Sequence, residues 1–177
     1  MGEESWALFV GRFQPFHLGH LHAVLHILER EERLVIAVGS SLSSHEPRNP
    51  FTMGERVQMI LAALDESKVS REKYLITGVP DTPFHPSWVT YVLKSVPPIG
   101  RVYTNDPLTA TLFEEEGYEV VSVPLKNWGD YSGTEIRRRI LSGEDWSKLV
   151  PPSVHKLITQ FGGDARVKKI SLEPLNS

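Results

Sequence analysis

Short apolar runs that stop at a glycine or a polar loop alternate with amphipathic stripes along most of the chain, and this alternation restricts the fold more than any other feature. Ala7-Leu8-Phe9-Val10 ends at Gly11 and reads as a buried strand, after which Leu21, Val24, Leu25 and Leu28 recur at i, i+3, i+4, i+7, the stripe of a core-facing helix. Leu34 to Val38 is a second strand, closed by Gly39, and a polar loop runs from Ser40 to Phe51. Thr52 with Glu55 spells a capping box ahead of a stripe of Met53, Val57, Ile60, Leu61 and Leu64. A strand from Tyr74 to Val79, a helix from Ser87 to Val96 and a strand from Arg101 to Thr104 come next. Asp106 and Pro107 form an N-cap and first-turn pair, Gly117 is a natural helix stop, Tyr118 to Val123 reads as the fifth strand, and Ser132 with Glu135 spells a second capping box. The tail, residues 163–177, is polar and shows no assignable pattern. Five short strands separated by helices predict a parallel sheet covered on both faces, a doubly wound α/β architecture, and 177 residues suit a single domain.

Charge and composition narrow the partners. Nineteen Lys and Arg against 22 Asp and Glu leave a net charge of −3, so the surface as a whole does not attract nucleic acid or anionic lipid, and a polyanion site must be local. Cysteine is absent, which excludes disulfides, thiolate chemistry and Cys-based zinc sites. The longest apolar runs, such as Leu34 to Val38, are too short to span a bilayer, and MGEESWALFV is acidic where a secretion signal is basic. The expectation is a cytoplasmic protein with neither membrane nor nucleic acid as partner.

Between the first strand and the first helix lies Gly11-Arg12-Phe13-Gln14-Pro15-Phe16-His17-Leu18-Gly19-His20. In the expected fold this is the carboxyl edge of the sheet, where phosphates bind. His17 and His20, three apart at a helix start, can turn both rings toward one point. Gly19 removes a side chain between them and lets a ligand approach the backbone. Imidazole N–H groups and the helix dipole both favour anions, so the pattern points to a polyphosphate. As a residue facing a ligand, His20 is expected to support no core.

GRFQPFHLGH resembles the H-x-G-H signature of the nucleotidyltransferase α/β-phosphodiesterase superfamily, and Tyr131-Ser132-Gly133-Thr134-Glu135-Ile136-Arg137 is similar to its second motif, ISxTxxR. Arg12-Phe13-Gln14-Pro15 and the segment Ser44 to Thr52 resemble the archaeal-type nicotinamide-nucleotide adenylyltransferases, over a span from about Phe9 to Phe161. The resemblance implies a Rossmann-like fold. It implies ATP bound by Gly11, Arg12, Phe13, His17, Gly19, His20, Ser132, Gly133, Thr134 and Arg137, with His17, His20, Arg12 and Arg137 catalytic. It further implies nicotinamide mononucleotide held by Arg48, Asp81, Trp88 and Trp128, NAD as product, and a homo-oligomer, a hexamer in the family.

Several of these residues also have readings of their own. Arg137, Arg138 and Arg139 sit in the first turns of a helix, whose dipole disfavours cations there by roughly 0.3–1 kcal/mol each, unless an anion reverses the sign. Helix geometry turns the three apart, so Arg137 alone is expected at the ligand; the bland alternative is a solvated basic face paired with Glu135. Arg48 is a loop cation on the ligand edge, and His45 beside it is an even choice between ligand and surface. Trp88 either stacks on the cationic pyridinium ring or packs in the core, and Trp128 is a lid or a packing residue. Asp81 is placed to accept from a carboxamide or ribose. Where the family usually reads S-G-N, this chain has Thr104-Asn105-Asp106, so no ATP-ribose contact is carried over. His22 and His26 have the i, i+4 spacing of a zinc pair, but no third ligand is evident and they read as ordinary helix histidines.

The implied chemistry is attack of a mononucleotide 5′-phosphate on the α-phosphorus of ATP, expelling pyrophosphate. No protein nucleophile is needed and none is evident, so rate enhancement must come from positioning and charge neutralisation. No carboxylate cluster suggests a metal cage, and Mg²⁺ is expected on the triphosphate. Two alternatives stay open: another adenylyl- or cytidylyltransferase, with phosphopantetheine or a flavin nucleotide as acceptor, and a non-catalytic nucleotide-sensing module.

Overall fold

A computed structural model describes residues 5–124 and 131–172. The strands are β1 (Trp6–Gly11), β2 (Leu34–Val38), β3 (Tyr74–Gly78), β4 (Ile99–Tyr103) and β5 (Glu119–Val121). The helices are α1 (Leu18–Leu28), α2 (Met53–Glu66), α3 (His85–Lys94), α4 (Pro107–Glu115), α5 (Gly133–Ser142), α6 (Pro152–Gln160) and α7 (Gly163–Leu172). All five strands run parallel in the order β3-β2-β1-β4-β5, with Phe9 opposite Ile36 on one side and Tyr103 on the other. The order reverses between β1 and β4, the topological switch of a doubly wound, Rossmann-like α/β sheet. β2 is buried at all five positions, as expected of a central strand covered on both faces.

The chain forms two compact units. The first, drawn from Met1–Gly11, Ala23–Ser41 and Ser70–Pro124, carries the sheet. Its core joins Leu8, Val35, Ala37 and Val102 of the sheet to Val79, to Val89 and Val92 of α3, and to Leu112 and Phe113 of α4. Asp106 caps α4 by accepting from Thr109 N–H at 2.8 Å, and Gly117, at φ +83°, ends it in a left-handed conformation that glycine adopts freely. Asn105 forms a two-way amide bond with the backbone of Val123, each leg 2.9 Å. The segment that departs from the family's S-G-N is thus occupied with strand and helix ends.

The second unit, drawn from Arg12–His22, Leu42–Val69 and Leu125–Ser177, is helical. α2 packs on α6, and α7 packs on α5 and α6 around Phe51, Ile60, Leu64, Ile136, Ile140, Val154, Ile158 and Val167. The Thr52–Glu55 capping box is formed in full. The face that α2 buries is Arg56, Met59, Ile60, Ala63 and Leu64; it keeps Ile60 and Leu64 of the expected stripe, whose Met53, Val57 and Leu61 are only half-buried, and adds an arginine. Residues 163–172, unassigned from sequence, form α7, and Gly163 sits where a Cβ would come within 2.6 Å of the Phe51 ring. Among the described residues no helix is long and apolar enough to cross a membrane.

Candidate active site

The segment after β1 folds around two aromatic rings. Phe13 and Phe16 are buried with ring centroids 5.7 Å apart, and Phe13 holds φ at +51°, an uncommon backbone for a bulky residue that marks a constrained segment. His17, 6% exposed, stacks on His20 at 3.6 Å between centroids. Each ring accepts the other's backbone N–H at its Nδ1, both at 3.3 Å. With Nδ1 an acceptor, each neutral imidazole carries its proton on Nε2, a donor. Burial pushes His17 down to about 3; burial, and then the neighbouring His17, push His20 well below its ordinary value. At neutral pH the pair offers N–H groups without net charge.

One expectation is widened here and one is overturned. A Cβ on Gly19 would lie 3.0 Å from the His17 ring and 3.2 Å from Tyr131 Cβ, so the glycine makes room for that ring and for Tyr131, a packing need that adds to the expected one. His20 packs edge-on against Phe13 at 4.7 Å and lies 5.5 Å from Phe16, so it does support packing.

Gln14, unassigned from sequence, is 4% exposed and bonds Phe51 both ways: its Nε2 donates to Phe51 O at 3.0 Å and its Oε1 accepts from Phe51 N–H at 2.9 Å. Its carbonyl accepts Arg137 Nη1 at 2.6 Å. Gly133 permits this approach, since a Cβ there would meet Gln14 O at 2.8 Å. Arg56, fully buried, donates to Arg12 O at 3.0 Å and to Thr52 O at 3.3 Å. The signal for Gln14 was a lone amide between two phenylalanines, since a buried amide must find partners. For Arg56 it was its place in the stripe with Met59, Ile60 and Ala63.

The arginines of α5 divide as helix geometry requires. Ser132 caps the helix by accepting from Glu135 N–H at 3.1 Å, but the expected capping box is only half formed: the Glu135 carboxylate is taken by Arg138 and Arg139 at 2.7–2.8 Å. Arg138, then Arg139, pull Glu135 down to about 2. Arg137 turns the other way, bonding Gln14 O and, at 3.3 Å, Thr134 Oγ1. Its pKa is lowered by burial first, then by the like charges of Arg12 and Arg48. Neither Arg12, Arg48 nor Arg137 has a carboxylate partner among the described residues, and like charges that feel one another favour an anion between them.

Arg48 belongs to an exposed loop whose end is fixed by α7. Arg166 grips Glu55 with both guanidinium nitrogens at 2.7 Å and donates to Pro50 O at 3.1 Å. Burial pushes Glu55 up, but the Arg166 and Thr52 bonds outweigh it and hold the carboxyl below its ordinary value. His45, at φ +59°, pairs with Ser44 Oγ at 3.0 Å on the surface.

Of the expected acceptor residues, Asp81 and Trp88 belong to the first unit and Arg48 to the second, and Gly11, expected at ATP, also belongs to the first. Gly11 ends β1, its carbonyl accepting Gly39 N–H at 2.9 Å. Asp81 is exposed after β3 and accepts from Ser40 Oγ at 3.1 Å. Trp88 packs edge-on against Phe113 at 6.1 Å, half-buried on the apolar core, so one face of the choice posed for it is filled by packing. Trp128 lies outside the described residues. His22 is exposed near Tyr131 and His26 pairs with Arg30, and no group of three His, Asp or Glu among the described residues could hold a metal.

Residues 8–139 match the cytidylyltransferase-like family. The chain is 46% identical over 169 residues to a nicotinamide-nucleotide adenylyltransferase of Archaeoglobus fulgidus, covering 93% of this chain and 97% of the relative. It is 44% identical over 165 residues to a protein of the same name from Picrophilus torridus, covering 93% and 96%. Among solved structures it superposes on a bifunctional NMN adenylyltransferase/ADP ribose pyrophosphatase of Francisella tularensis, complexed with AMP and a Mn ion, at a TM-score of 0.76 and 21% identity. That match covers 95% of this chain and 52% of the other, so this chain spans about half the bifunctional protein's length.

Proposed function

The chain belongs to the cytidylyltransferase-like family, beside archaeal nicotinamide-nucleotide adenylyltransferases, and from that premise we propose how it transfers the adenylyl group of ATP to nicotinamide mononucleotide, giving NAD and pyrophosphate. The observation that carries the proposal is the group of Arg12, Arg48 and Arg137, without carboxylate partners among the described residues, in the same unit as two neutral histidines that carry N–H groups.

The 5′-phosphate of the acceptor attacks the α-phosphorus of ATP in line, and the bond to the pyrophosphate oxygen breaks without a covalent enzyme intermediate. His17, His20 and the arginines donate to the oxygens on which charge builds, the arginines supplying the positive charge. Ser132, Gly133 and Thr134 present the amino end of α5 to the same nucleotide. Mg²⁺ arrives as part of the substrate, MgATP, because the cationic donor set suits phosphate oxygens and not a metal. Arg48 takes the acceptor's phosphate, Trp88 its pyridinium ring by its uncovered side, and Asp81 its polar edge. The enzyme works in the cytoplasm as a homo-oligomer.

The test is a panel of nicotinamide mononucleotide, its deamidated acid, phosphopantetheine and a flavin nucleotide with MgATP, following pyrophosphate and dinucleotide. Turnover is expected with nicotinamide mononucleotide and is expected to stop in excess chelator; pyrophosphate released only with phosphopantetheine or the flavin would overturn the acceptor assignment. Trp88→Ala is expected to raise KM for nicotinamide mononucleotide by two- to thirty-fold, about 0.5–2 kcal/mol, with KM for ATP nearly unchanged.

A further inference from the structure

A buried carboxamide that gives both of its hydrogen-bonding atoms to the backbone of one distant residue fixes a distance and an orientation at once. Gln14 does this to Phe51, three residues after Arg48, while its own carbonyl takes Arg137 and its chain continues three residues on to His17. Filling the space between Phe13 and Phe16 would require only an apolar side chain of similar length. Three separate segments that supply phosphate ligands meet at this one residue, and Phe51, fully buried, has its N–H and carbonyl satisfied there.

We propose that Gln14 is a positioning residue for adenylyl transfer, holding the Arg48 segment in register with the His17–His20 pair and Arg137. The inference rests on the reading of Arg48 and Arg137 as phosphate ligands. Its action is indirect: the carboxamide touches Phe51, and the guanidinium carried three residues earlier touches the substrate. A misplacement of about 1 Å costs up to about 10²-fold in rate, so the register matters more to turnover than to ground-state binding.

The experiment is a double-mutant cycle of Gln14→Met with Arg48→Ala, read as kcat and both KM values well below the melting temperature. Gln14→Met keeps length and volume and removes both bonds. It is expected to lower kcat about 10- to 100-fold with KM for ATP moved less than about threefold. In the Arg48→Ala background the same substitution is expected to cost less than about threefold, because the group it positions is gone. A merely structural Gln14 gives the reverse, a lower melting temperature with wild-type kcat per folded molecule, or losses that multiply across the cycle; either overturns the proposal. Should Gln14→Met fail to fold, Gln14→Glu, which keeps the acceptor for Phe51 N–H, carries the same expectation of coupling. An Arg48→Ala enzyme with wild-type kinetics fails the underlying reading and the proposal with it. Wild-type kinetics in Gln14→Met beside a crippled Arg48→Ala fails the proposal alone.

Discussion

In the sheet unit most buried side chains are hydrocarbon, with Leu8, Val35, Ile36, Val38 and Val102 at or near zero exposure, and the polar groups among them are the small Ser40 and Thr104 and the phenols of Tyr74 and Tyr103. In the helical unit Gln14, His17, Asn49 and Arg56 share the interior with Phe13, Phe16 and Phe51. Apolar burial is non-directional and roughly proportional to area, so the first unit gains stability from whatever fills its volume. Buried hydrogen bonds are directional and costly when half made, so the second unit accepts a few arrangements only. The unit that carries Arg12, Arg48 and Arg137 is the one whose interior dictates geometry.

The contrast can be tested from the largest effect downward. Ile36→Ala, in the middle of β2, is expected to cost about 2–5 kcal/mol in denaturant unfolding while kcat per folded molecule stays at the wild-type level. A kcat that fell in proportion would mean the sheet core also sets the site, and the division of labour would be wrong. His20→Ala is expected to lower kcat about 10²–10³-fold, roughly 2.7–4 kcal/mol, with a smaller loss of melting temperature from the broken ring contacts with His17, Phe13 and Phe16. Unchanged kcat in the folded variant would strip the histidine pair of its role.

Arg166→Ala is expected to destabilise by about 1–3 kcal/mol and to raise KM for nicotinamide mononucleotide, since Glu55 keeps its helix cap but loses both guanidinium bonds and Pro50, at the end of the Arg48 loop, loses its donor. A change in unfolding alone, with both KM values constant, would separate α7 from the site. The smallest effect is in pH. His17 in the fold titrates near 3 and unfolded near 6.5, so the unfolded chain binds the proton first as pH falls. Stability is full above pH 6.5 and declines toward pH 3, by about 1 kcal/mol for this group between pH 6.5 and 5.5. A His17→Gln protein should show a shallower decline, and an identical slope would remove His17 as its source.

The sheet was readable because its period and its punctuation agree: strands end at Gly11 and Gly39, helices start at Thr52 and Asp106, and each signal is local. The site was half readable. H-x-G-H and the α5 motif name the donors, but the bonds that place them join residues far apart in the chain: Gln14 to Phe51, Gln14 to Arg137, Glu55 to Arg166. No periodicity registers such a pair. Arg56 shows the same limit within one helix, since an apolar stripe leaves it out although its guanidinium meets two backbone carbonyls inside. Glu135 shows the converse: the capping-box spelling was present, but two arginines compete better for its carboxylate than Ser132 N–H does.

Arg166 comes later in the chain than every other residue named at the site, and this gives the protein an order of maturation. As synthesis proceeds, β1 to β5 are all present once Val121 has emerged, whereas the clasp on Pro50 and Glu55 waits for α7. A nascent chain can therefore own a finished sheet and still lack a set Arg48 loop, which is clasped only after α7 has followed the sheet out of the ribosome.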